Sequence, residues 1–125
     1  MTDRKTTGLL GEDAAAAWLV RHGHRVLDRN WRGGRVELDI VSADARGIHF
    51  VEVKSRTAPL MADPALNVDA AKQKHLHAAA NRWLGAHPGL PDLEVFFDII
   101  TVVLSGDGDI MTLDYYPQAF IPTYV

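Results

Sequence analysis

Two short apolar segments near the middle of the chain carry charges that their surroundings do not invite. VELDIVSA holds Glu37 and Asp39, and GIHFVEVKSR holds Glu52 and Lys54. DARG, between Ala43 and Ile48, is rich in turn formers, so the two segments read as strands of a hairpin. A four-residue turn makes the numbers of facing residues sum to 91, which sets Asp39 opposite Glu52 and Glu37 opposite Lys54. Alternation along a strand then places these charges on one face with Val41, Ile48 and Phe50. Val36, Leu38, Ile40, Val51 and Val53 form a second, uniformly apolar face. Two carboxylates about 5 Å apart across a strand pair repel unless a cation sits between them, and hard divalent ions such as Mg²⁺ accept such oxygens. The alternative is an exposed face on which Glu37 pairs with Lys54 and the other acids are solvated. Phe50 and Ile48, on the same face, argue that something covers it.

The elements around the hairpin supply the cover. GLLGEDAAAAWLVRHG predicts a first helix starting near Gly8, with acids in its first turn, bases in its last and Gly23 as a stop. Leu10, Ala14, Ala17, Trp18 and Arg21 follow helical spacing on a narrow stripe of mostly small residues. HRVLDRNWR reads as a strand before the hairpin, and TAPLMADPALN as a loop of the length that often borders a site. From about Val68 to Ala86 the spacing of Leu76, Ala80, Trp83 and Leu84 predicts a second helix ended by HPG. Lys72 precedes Leu76 by one turn and so borders its apolar stripe, with Gln73 beside it. A lysine there is commonly a snorkelling stem. LEVFFDIITVVL is nearly continuous in apolar residues, as a central strand should be, with Asp98 as a hydrogen-bonded core acid. GDGD turns the chain into a short fifth strand within IMTLDYYPQAF. The order of helix, three strands, helix and two strands predicts an α/β fold: a mixed five-stranded sheet flanked by helices, with a parallel crossover from the third strand to the fourth.

A chain of 125 residues suits one domain, here residues 8–125, after a polar stretch 1–7 read as a flexible N-terminus. No apolar run approaches the roughly 18 residues of a membrane span, and no secretory leader is evident, so the expected compartment is the cytoplasm. With no cysteine there is no disulfide, thiolate metal site or thiol nucleophile. The net charge of −3 is unevenly spread: all thirteen Lys and Arg precede Trp83, and six acids with no base follow it. Arg21, Arg25, Arg29, Arg32 and Arg35 recur with only Asp28 to oppose them, a stripe that could meet phosphates or could be a solvated row. His22 with His24, and His75 with His77, are close in sequence, but neither pair has the spacing that sets two imidazoles on one helical face.

Taken together, GLLGEDAAAAWL, RNWR, VELDIV, FVEVKSR, NVDAAKQKHL and FFDIITV resemble the YraN-like family of predicted endonucleases. That family is assigned to the PD-(D/E)XK nuclease superfamily, with a restriction-endonuclease-like core, and is similar to archaeal Holliday junction resolvases. The resemblance covers Gly8 to about Phe120. It implies Asp39 and Glu52 as ligands of Mg²⁺ or Mn²⁺, with Glu12 completing the set. Lys54 would be the catalytic lysine, Gln73 and Lys72 assisting groups on the helix, and Glu37 a supporting acid. Leu38 stands where the superfamily's proline would be, and Val36 where a glycine is usual before Glu37. The function implied is metal-dependent hydrolysis of phosphodiester bonds in DNA, branched or junction DNA among the candidates. The alternative is a catalytically weak nucleic-acid-binding module of a DNA-processing assembly. Arg25, Arg29, Arg32, Arg35 and Arg56 are the expected phosphate contacts. A homodimer is a further expectation, drawn from the tail aromatics Tyr115, Tyr116, Phe120 and Tyr124.

Overall fold

The computed structural model describes residues 4–35, 37–59, 68–90 and 94–120. Most of the expected proline-bearing loop, Val36 of the hairpin and Tyr124 of the tail lie outside them. The elements are α1 (Arg4–Arg21), β1 (Arg25–Arg32), β2 (Glu37–Ala43), β3 (Gly47–Thr57), α2 (Ala70–Gly85), β4 (Glu94–Leu104) and β5 (Ile110–Tyr116). They form one mixed sheet in the order β1-β2-β3-β4-β5. The β3 and β4 strands are parallel and joined through α2, while the other neighbours are antiparallel. This is the α/β arrangement expected from the sequence, and it is consistent with a restriction-endonuclease-like core.

Each sheet face is covered by one helix. Val41, Ile48, Phe50 and Ile99 pack under Leu76, Ala79, Ala80 and Trp83 of α2. On the other face, Ile40, Val51, Ile100, Val102 and Leu104 pack under Ala15 and Leu19 of α1. Strand alternation therefore fixes which helix each β3 residue meets: even numbers face α2 and odd numbers face α1. Leu38 breaks this parity. It packs with Val41 and Phe50 in the α2 cluster rather than beside Ile40.

The first helix differs from expectation in two respects. It begins at Arg4, so Glu12 and Asp13 lie in its middle and not its first turn. Its buried positions are Thr7, Gly11, Glu12, Ala15 and Leu19, while Ala17 and Arg21 are exposed. Close approach explains the shift. A Cβ at Gly11 would overlap the Ser55 side chain of β3, so the absence of one lets α1 press onto the sheet there. Trp18 lies at the rim, stacked on His22 and 4.8 Å from the Tyr115 ring.

Candidate active site

The hairpin register is the one the four-residue turn requires. Ile40 pairs with Val51, Val41 with Phe50, Ser42 with His49 and Ala43 with Ile48. Past Ile40 and Val51 the ladder stops. At that fork the Asp39 carboxylate takes over from the partner strand: its Oδ2 accepts the backbone N–H of Val53 at 2.9 Å. Val53 is the residue between Glu52 and Lys54, so Asp39 is fastened to the middle of the Glu-x-Lys segment.

Three further elements bring charge to this fork. From α2, Lys72 Nζ donates to Glu52 Oε1 at 2.9 Å. The Glu52 carboxylate is largely buried, whereas the lysine stem remains about half exposed. Asp69 caps α2 by accepting the N–H of Lys72 at 2.8 Å, which fixes the turn from which that lysine projects. The neighbouring Gln73 points elsewhere, its Nε2 donating to Val68 O at 2.7 Å. From α1, Gly11 delivers the buried Glu12 toward Asp39, whose carboxyl feels its charge. From β1, Arg29 binds Asp13 at 2.7 Å and reaches Glu12 at 3.5 Å.

The electrostatics reflect this crowding. Burial, and then the charge of Glu52, push the Asp39 carboxyl up to about 7, against the opposing pull of the Val53 N–H and Lys72. Glu12 is also raised by burial, although Arg29 and a hydrogen bond from Asn30 act against it. Lys54 is lowered, mainly by burial, with the positive charges of Lys72 and Arg56 adding to the effect and Glu52 opposing it. Lys72 is raised: burial acts against its charge, but the bond to Glu52 prevails. Asp39 and Glu52 also line a crevice of about 10 Å³ under α2, beside Phe50 and Leu76. That is room for about one water.

Other expected residues fall outside this cluster. Glu37 pairs with Arg32 across the β1–β2 ladder at 2.9 Å, not with Lys54. Arg29 and Arg32 are thus held by acids, so the arginine stripe is in part an ion-paired row. Arg25, Arg35 and Arg56 are exposed. Tyr115, Tyr116 and Phe120 pack against the two cores and so do not form an exposed aromatic patch. Asn30 carries no signal in the sequence beyond its place in RNWR. It has φ 52° in β1 beside the fork, a left-handed conformation that asparagine tolerates better than most residues, and it bonds Glu12.

A second polar group lies at the opposite end of the hairpin. His24, Asp44 and His49 bring their ligating atoms within 4.8 Å of one another and could hold a metal ion. This is not the set expected for Mg²⁺, and it is neither of the sequence-adjacent histidine pairs. His22 instead bonds Trp18 O and stacks on the Trp18 ring. Asp98 is the hydrogen-bonded core acid that its apolar strand suggested, bound to His49, Tyr115 and the N–H of Gln118.

A family model described as uncharacterised protein family UPF0102 matches residues 11–102, a span that runs from Gly11 through the hairpin and α2 into β4. The chain belongs to this family. Its relatives include a UPF0102 protein of Anaeromyxobacter dehalogenans, 40% identical over 117 residues, covering 94% of this chain and 85% of the relative. A UPF0102 protein of Bacteroides thetaiotaomicron is 39% identical over 122 residues, covering 98% of both chains. One from Nitratidesulfovibrio vulgaris (strain DP4) is 41% identical over 117 residues, covering 94% of this chain and 85% of the relative. No helix among the described residues is long and apolar enough to cross a membrane.

Proposed function

We propose that this UPF0102 protein is a metal-dependent endonuclease of the PD-(D/E)XK type that hydrolyses phosphodiester bonds in DNA. The observation that carries this reading is the Asp39 carboxylate, bound to the backbone between Glu52 and Lys54 at the point where β2 leaves β3. A salt-bridged surface hairpin has no need of that geometry, whereas a site that gathers two carboxylates and a lysine around one phosphate does.

The donor chemistry fits a hard divalent ion. Asp39 uses Oδ2 on the Val53 N–H, and Glu52 uses Oε1 on Lys72. Each therefore has a second oxygen to offer, with Glu12 nearby to complete the set, and the charge that Asp39 and Glu52 press on each other is what such an ion relieves. When bound, Mg²⁺ or Mn²⁺ would polarise a phosphate oxygen and lower the pKa of an attacking water. The chain's own groups do the rest. Lys54, on the same row as Glu52, stabilises charge developing on the phosphate or orients the water. Lys72 holds Glu52 in place, and Arg29 holds Glu12. Arg25, Arg35 and Arg56 are the exposed cations that meet the nucleic acid backbone, contacts that position a duplex without reading its sequence.

The test is single-turnover cleavage of branched, single-stranded and duplex DNA at saturating Mn²⁺ by the wild type, Asp39→Asn, Glu52→Gln and Lys54→Ala. We expect cleavage by the wild type alone, with Lys54→Ala retaining DNA and Mn²⁺ binding, because the lysine acts mainly in the transition state. Equal rates for wild type and Lys54→Ala would reject a catalytic Lys54. DNA binding without cleavage by any form would favour the binding-module reading.

A further inference from the structure

The buried group at the turn end of the hairpin is built from residues that the nuclease reading does not use. His24 follows α1, Asp44 opens the β2–β3 turn and His49 lies on β3, on the α1 side of the sheet. Both imidazoles direct Nε2 at one carboxylate: His49 to Asp44 Oδ1 at 2.8 Å and His24 to Asp44 Oδ2 at 3.5 Å. Their rings stand edge to face with centroids 4.6 Å apart. Each Nδ1 is held from behind by an oxygen, Asp98 Oδ2 at 2.6 Å for His49 and Ser42 Oγ at 3.0 Å for His24. An imidazole oriented by an oxygen partner on its far nitrogen is the arrangement of metal-ligating histidines.

We propose that His24 Nε2, His49 Nε2 and Asp44 Oδ2 form a binding site for a zinc-class divalent ion, with a water as fourth ligand. Four observations support this. Zinc takes nitrogen and oxygen donors at about 2.0–2.2 Å in a tetrahedron, which sets the donors about 3.4 Å apart. The His24 Nε2–Asp44 Oδ2 separation of 3.5 Å matches that spacing, and the ligating atoms of the three residues lie within 4.8 Å of one another, so binding requires the His49 imidazole to turn from Asp44 Oδ1 toward the shared ion. Asp44 Oδ1 is occupied by the N–H groups of Arg46 and Gly47, so the ligand oxygen is Oδ2, where the exposed Arg46 side chain, 3.7 Å away, would have to swing aside. Both histidines are buried while Asp44 keeps some exposure, so the group meets solvent through Asp44, on the turn side. His49 stands between two carboxylates, Asp44 at 2.8 Å and Asp98 at 2.6 Å, so a divalent ion would replace the proton that the imidazole holds between them, and two imidazoles favour zinc-class ions over Mg²⁺. Bound there, the ion would tie the turn after α1 to the hairpin turn.

Binding is tested by adding Co²⁺ to the full chain, since four-coordinate cobalt absorbs strongly in the visible region. We expect one equivalent to give such bands and Zn²⁺ to abolish them. Asp39→Asn should keep the bands, His24→Gln and Asp44→Asn should lose them, and Asp98→Asn should bind about 10–100-fold more weakly. Should a variant fail to fold, the wild type still decides the matter. Its imidazole resonances for His24 and His49 should shift with Zn²⁺ while those of His22, His75, His77 and His87 stay in place. Absence of a stoichiometric visible band in the folded wild type, bands that survive in folded Asp44→Asn, or zinc shifts confined to other histidines would each overturn the proposal.

Discussion

Replacing Asp39 with asparagine should stabilise the metal-free protein, by an amount that depends on pH in a defined way. The folded chain raises this carboxyl from 3.8 to about 7, first through burial and then through the charge of Glu52. Below about pH 4 the group is neutral in both folded and unfolded chains and contributes nothing. Between pH 4 and 7 the unfolded chain gives up the proton that the folded chain keeps, so stability falls as pH rises. Above pH 7 the carboxylate is charged in both states and the full penalty applies. About three pKa units at about 1.4 kcal/mol each set an upper bound near 4 kcal/mol. Glu52 shares the strain, so about 1–3 kcal/mol is expected. Asparagine can still accept the Val53 N–H but carries no charge. Urea denaturation in EDTA should therefore show Asp39→Asn equal to wild type at pH 4 and more stable by that margin at pH 8. Taking the difference between the two proteins cancels the histidine titrations common to both. Saturating Mn²⁺ should then raise the wild type more than the variant, because a ligand bound only to the folded state stabilises it and the variant lacks the Asp39 ligand. A difference that is flat from pH 4 to 8, or of the opposite sign, would refute the claim that Asp39 is held under electrostatic strain.

Gly11→Ala should destabilise the protein by about 1–3 kcal/mol, since the added methyl group meets Ser55, and Ser55→Gly in the same chain should restore part of the loss; denaturation of the wild type and the two variants measures it. Removing Arg29 with Arg29→Met should weaken Mn²⁺ binding through Glu12 more than it weakens DNA binding, measured by calorimetry and by fluorescence anisotropy. Substituting Arg25, Arg35 and Arg56 together with alanine should lower the salt dependence of DNA binding by about 0.9 in log-log slope for each phosphate that these side chains neutralise. An unchanged slope would return these residues to ordinary surface.

The order and type of every element were legible in the sequence because each carries its own period and its own turn. The four-residue DARG turn was sufficient to fix the β2–β3 register, and with it the placement of Asp39 near Glu52. The partner of Glu37 could not be read in the same way. That residue lies beyond the point where the β2–β3 ladder stops and pairs with β1, and the β1–β2 register contains an irregularity between Val26 and Asp28 that no turn signal reports. Arg32, not Lys54, was therefore its neighbour. The face of α1 was misjudged for a related reason. Helical spacing ranks positions by size and apolarity, whereas this helix packs through Gly11 and Ala15, where closeness to the sheet decides which side is buried.

The two polar groups of the hairpin differ in the range over which they are written. Glu52 and Lys54 are two residues apart, and Asp39 is brought to them by one short turn, so the candidate active site is a local feature that strand alternation exposes. The histidine group depends on residues distant in sequence. His49 and Asp98 lie 49 positions apart and meet only because β3 and β4 run parallel in a register that faces His49 to Phe96. Asp98 is set by Tyr115 from β5, and His24 is set by Ser42 through the pairing of β1 with β2. Each of these contacts requires the whole sheet. The fork at Asp39 is different: it needs the hairpin, with one helix on each face to add Glu12 and Lys72. The fork is thus assembled at the end of the hairpin where strand pairing stops, while the histidine group is assembled where pairing is complete. Backbone N–H groups released at the fork are available to a carboxylate, as Val53 shows, whereas at the other end the paired ladder leaves the N–H groups of the turn, those of Arg46 and Gly47, to meet Asp44, and side chains to meet the histidines. That division follows from one strand pair being closed at its turn and open at its far end.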